Sequence, residues 1–71
     1  MKPYSLVGVN GNAFAIMGYT AEAMRKAGFS KEEIDEMYDN ATEGSYYHLI
    51  AVCDDYISEV NKRLNLEEEE E

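Results

Sequence analysis

The sequence predicts a mainly α protein: a short N-terminal strand or extended arm followed by a three-helix bundle. Three observations carry that expectation. Apolar residues recur at helical spacing in three successive stretches. Each stretch is preceded by a residue suited to capping a helix: Asn12, Ser30 and Ser45. Glycines punctuate the joins, at Gly28 and Gly44.

Tyr4–Val9 is rich in β-formers and lies between Pro3 and Asn10-Gly11, so it reads as a short strand. A lone strand needs a partner for its backbone. It must lie against the helices as an arm, pair with a second copy in a homodimer, or join a hairpin. Asn10-Gly11 between two apolar runs is itself a strong hairpin signal. The alternative architecture therefore has an N-terminal β-hairpin, with Asn12–Met17 as its second strand, plus two or three helices. The helical reading of that stretch is favoured. Ala13, Ala15, Ala21, Ala23 and Ala27 are strong helix formers, and Phe14, Met17, Ala21 and Met24 fall on one stripe. Gly18 costs such a helix about 1 kcal/mol against alanine unless a neighbour approaches closely there.

Ala27-Gly28-Phe29-Ser30 ends the first helix and opens the second. Gly28 supplies a left-handed position, Ser30 and Glu33 make a capping box, and Phe29 with Ile34 can form a hydrophobic staple. The second helix is expected over about 31–41, with Ile34, Met37, Tyr38 and Ala41 facing inward and Gly44 ending it. Ser45 caps a third helix over about 46–64, whose stripe is Leu49, Cys53, Tyr56, Ile57, Val60 and Leu64. Residues 1–66 then form one small domain. Residues 67–71, five consecutive glutamates, repel one another and are expected to be a disordered acidic tail.

Charge narrows the function. The formal net charge is −9, and the five terminal glutamates leave −4 on residues 1–66. No basic cluster exists, which disfavours direct binding of nucleic acid or of anionic membranes. A single cysteine, Cys53, excludes a disulfide framework and makes thiolate zinc binding a poor fit. No apolar run approaches the roughly 20 residues that span a bilayer, and the first residues lack a signal-peptide run. The expected location is the cytoplasm.

No residue set reaches the standard of an active site, so the expectation is that the protein is not an enzyme and needs no cofactor. His48 is the only histidine. Cys53, five positions on, lies about 140° round a helix from it, so the two do not form a nucleophile–base pair. Asp54, Asp55 and Glu59 lack the further ligands a metal site needs and read as a solvated face. Residues 31–43 carry a net −5. Their carboxylates Glu32, Glu36, Asp39 and Glu43, together with Tyr47 and His48, are the candidate partner-binding residues, suited to a protein with a basic surface. Asn10, Gly11 and Asn12 are the candidate ligand site in the alternative reading. On that reading the protein is a homo-oligomer that binds a small ligand or nucleotide at the helix start.

Gly11-Asn12-Ala13-Phe14, Ala27-Gly28-Phe29 and Ala41-Thr42-Glu43-Gly44-Ser45-Tyr46-Tyr47-His48-Leu49-Ile50 occur in that order. In this the chain resembles a group of small bacterial and phage-encoded proteins, over about residues 4–57. Ser45 stands where the group usually has aspartate, and Asn10 where aspartate is frequent; both keep turn or capping chemistry. The resemblance implies a prokaryotic or mobile-element origin and supplies no catalytic residue.

Overall fold

Three local capping signals fix three helices: α1 (Ala13–Lys26), α2 (Lys31–Ala41) and α3 (Tyr46–Leu64). The computed structural model describes residues 2–66, and the expected tail of residues 67–71 lies outside them. The Asn12 side chain accepts hydrogen bonds from the Phe14 and Ala15 amides at 2.8 and 3.4 Å. Ser30 and Glu33 complete the capping box, with bonds of 2.8 and 3.1 Å. Ser45 Oγ accepts from the His48 amide at 3.2 Å.

The turns between helices follow the same local chemistry. α1 ends in a Schellman pattern: the Phe29 amide donates to the Met24 carbonyl and the Gly28 amide to that of Arg25, both at 3.0 Å. Gly28 sits there at φ +87°, a conformation that a side chain would strain. Asn65 takes the equivalent left-handed position at the end of α3, at φ 58°. α2 ends at Ala41, as its expected bounds have it, with Thr42 as its C-cap. Gly44 has a different task. A Cβ there would meet the His48 ring at 3.0 Å, so glycine leaves room for the imidazole.

The chain runs up, down and up. Phe29, at the α1–α2 turn, lies edge-on to Tyr56 and under the Arg63 guanidinium, 3.8 Å from its ring centre. At the opposite end His48 meets the Asn40 carbonyl, and the Tyr46 hydroxyl donates to the Gly11 carbonyl. α1 and α3 are therefore parallel, with α2 antiparallel to both.

The core is built from Ile16, Met17, Ala21, Ala23 and Met24 of α1, Ile34, Met37 and Ala41 of α2, and Leu49, Cys53, Ile57 and Val60 of α3. The stripes expected for α2 and α3 bury as anticipated, with Tyr38, Tyr56 and Leu64 half-buried at their margins. Thr20 is a buried polar member; its hydroxyl donates to the Ile16 carbonyl at 2.9 Å and so carries no unmet demand.

Two expectations for the N-terminal part need correction. Among the described residues there is no strand and no hairpin. Only the arm alternative holds: Tyr4 and Ser5 lie along the helices, then Leu6–Val9 closes a turn by a Val9 amide to Leu6 carbonyl bond of 3.1 Å. Gly8 adopts φ +87° at the third position of that turn. Asn10 and Asn12 make successive side-chain turns instead of a hairpin, since Asn10 Oδ1 accepts from the Asn12 amide at 2.8 Å. The second correction concerns Phe14, expected in the α1 stripe but 80% exposed. Its direction is within about 20° of buried Ala21, two turns on. What differs is height: Phe14 sits in the first turn of α1, where nothing covers it.

Gly18 faces solvent, and a Cβ there would meet nothing within 4 Å. No close contact requires the glycine. Gly18→Ala is expected to stabilise the fold by about 0.5–1 kcal/mol. That corresponds to a melting midpoint several degrees higher, and circular dichroism can check it.

Candidate functional site

The outer face of α2 is the most distinctive surface of the molecule. Ile34, Met37 and Ala41 point inward. Glu32, Glu36 and Asp39 lie about 180° round the helix from them, at about 100° per residue. Glu43 continues the acidic run in the loop beyond. All four are exposed. Not every carboxylate on the helix is free. Glu33 is held by the Ser30 amide, which keeps its carboxyl below the ordinary carboxylate range against the small opposing effect of burial. Lys31 pairs with Asp35 at 3.1 Å. Glu32, Glu36, Asp39 and Glu43 have no such engagement in the described structure. The candidate acidic residues are thus the ones that the helix leaves available.

The wider charge pattern reinforces this. Between Lys31 and Lys62 the chain has no lysine or arginine, while it carries Glu32, Glu33, Asp35, Glu36, Asp39, Glu43, Asp54, Asp55 and Glu59. Arg25, Lys26, Lys31, Lys62 and Arg63 sit at or near the other end of the bundle. The end where α2 stops and α3 starts therefore has no lysine or arginine among the described residues.

That same end exposes aromatic surface. Tyr47 is 83% exposed, and its ring centre lies 6.3 Å from that of Tyr46. Tyr46 is half-committed, because its hydroxyl is spent on Gly11. Phe14, in the first turn of α1, stands at this end as well. Helical periodicity placed it in the core, so nothing in the sequence marked it as surface.

His48 is positioned differently from Tyr47. Its Nε2 is 2.8 Å from the Asn40 carbonyl, so the ring ties the end of α2 to the start of α3. It supports the acidic loop and is only half-buried.

Asn10, Gly11 and Asn12 are brought together, and several of their polar groups are engaged within the chain. Asn10 serves the Asn12 amide, Asn12 serves Phe14 and Ala15, and the Gly11 carbonyl serves Tyr46.

The remaining candidates for chemistry are spread apart. Cys53 is wholly buried, and burial pushes its thiol up from its ordinary value, only partly offset by the neighbouring Thr20 hydroxyl. The thiolate form that a nucleophile or ligand needs is disfavoured there. Glu59 lies 3.6 Å from Arg63. Among the described residues no three or more His, Cys, Asp or Glu side chains converge in a metal-binding group. No described helix is long and apolar enough to cross a membrane.

No protein-family model, curated protein or solved structure matches this chain. Function must therefore be argued from the surface itself.

Proposed function

We propose that this protein is a non-enzymatic interaction module whose partner is a protein with a basic surface. The observation that carries the reading is the stripe Glu32–Glu36–Asp39–Glu43. It consists of carboxylates free of partners among the described residues, its helical members lie opposite the core, and it leads to an end of the bundle with exposed Tyr47. Charge of one sign, concentrated on a rigid helix, raises the rate of encounter with an oppositely charged surface. Tyrosine then offers contact area at small entropic cost. Tyr47 is the anchor on this reading, and His48 is a positioning residue that holds the α2–α3 loop. The resemblance at Gly11–Phe14 and Ala41–Ile50 favours a bacterial or phage setting, and the lone Cys53 suits a reducing cytoplasm.

The test is affinity capture from a bacterial lysate with the intact protein and with a variant carrying Glu32→Gln, Glu36→Gln, Asp39→Asn and Glu43→Gln. These substitutions touch no core residue and leave the capping box intact. A partner retained by the wild type and lost by the folded variant supports the reading. A partner retained equally by both contradicts it.

A further inference from the structure

We propose that the groove between α1 and α3 is a receptor for extended polypeptide backbone. The chain's own arm occupies it in cis. An extended partner segment, with an aromatic side chain followed two positions later by an aliphatic one, can take its place. This surface is separate from the acidic face of α2 and does not depend on it.

The arm shows what the groove recognises. The Asn61 amide makes two bonds to one residue: its Oδ1 accepts from the Tyr4 amide at 2.8 Å and its Nδ2 donates to the Tyr4 carbonyl at 2.9 Å. That is the pair of bonds a residue of a neighbouring β-strand would make. Asn61 thus stands in for a strand edge and reads main chain without regard to side chain. The Ser5 amide donates to the Tyr19 hydroxyl at 2.9 Å. Side-chain preference comes from elsewhere. The Tyr4 ring meets Tyr19 edge-on at 6.0 Å, and Leu6 packs against the core.

The attachment is built to release. All three of these backbone bonds end on side chains. The one backbone–backbone bond in the described part of the arm closes its own turn, from Val9 to Leu6. Tyr4, Leu6 and Val9 are half-buried, and none belongs to the fully buried core. Gly8, at φ +87° in the Leu6–Val9 turn, forms the joint between the arm and the start of α1. Beyond that joint the Gly11–Tyr46 bond and the Asn12 cap hold α1 independently. The arm can therefore leave without unwinding the helix. Pro3 restrains Lys2 towards extended backbone, which lowers the ordering cost when the arm returns.

The test weakens the arm's hold on the groove without touching the groove's walls. A full-length variant carrying Tyr4→Ser and Leu6→Ser is titrated with a synthetic peptide of the sequence of residues 2–9, and the backbone amide resonances of Tyr19 and Lys62, which line the groove, are followed. The peptide is expected to shift them in the variant. It should bind the wild type at least tenfold more weakly, because the tethered arm competes at an effective concentration of order millimolar. Adding Asn61→Leu to the variant should weaken binding at least tenfold. No binding by the folded variant, or binding indifferent to Asn61→Leu, overturns the proposal. If the variant does not fold, hydrogen exchange on the wild type decides. The Tyr4 and Ser5 amides are expected to exchange at least tenfold faster than those of Cys53 and Val60. Exchange of all four only with global unfolding overturns it.

Discussion

Met24→Ala is expected to leave the protein largely unfolded at physiological temperature. Met24 is 0% exposed and sits among the largest fully buried side chains, with Met37 and Val60. Truncating a buried methionine to alanine removes the transfer free energy of its lost atoms and leaves a cavity, for a total of about 2–5 kcal/mol. A core of this size supplies a net stability of only about 3–5 kcal/mol, so one such cavity consumes most of it. Urea denaturation followed by circular dichroism checks this. A midpoint close to that of the wild type would mean that the three helices do not share a core at this point.

Ala23→Leu tests the opposite failure. Ala23 is also 0% exposed and belongs to the core packed from all three helices. Leucine is nearly as good a helix former as alanine, so any loss comes from packing and not from propensity. Overpacking of this kind costs about 1–3 kcal/mol, or a fall in melting midpoint of about 4–8 °C for each kcal/mol in a domain this small. Ala51→Leu is the matched control, because Ala51 lies on the exposed side of α3. It is expected to move the midpoint by no more than a few degrees. Equal effects at the two positions would contradict the assignment of Ala23 to the helix interface.

What could be read from the sequence was what depends on neighbours in the chain. Ser30 with Glu33, Gly28 with Phe29 and Ser45 with His48 each act within a few residues. The bounds of α2 and α3 therefore stand where their caps put them. The inward stripes of these helices were legible for the same reason, since spacing alone sets direction. The arm was not. Its backbone is satisfied by Asn61, 57 positions from Tyr4, and by Tyr19, 14 positions from Ser5. No local pattern announces such a pairing, so a β-rich stretch read naturally as a strand. Phe14 failed for a related reason: periodicity gives its direction but not whether another element reaches its height. Gly44 was assigned to backbone geometry when its place is due to the bulk of His48, brought over it by the turn into α3.

The candidate site divides along the same line. Glu32, Glu36 and Asp39 were legible because a single helix places them on one face. Tyr47 and His48 are adjacent in sequence, yet one points to solvent and the other is spent on Asn40. That division of labour depends on how α2 and α3 meet, which spacing does not reveal.

The most direct measurement is the affinity of a captured partner as salt is raised, for the wild type and for the variant with all four stripe carboxylates neutralised. Contact through the stripe predicts that wild-type binding weakens steeply between low and high salt, while the variant binds weakly throughout with a much flatter dependence. Wild-type affinity that is indifferent to salt and equal to that of the variant would place the contact elsewhere on the molecule.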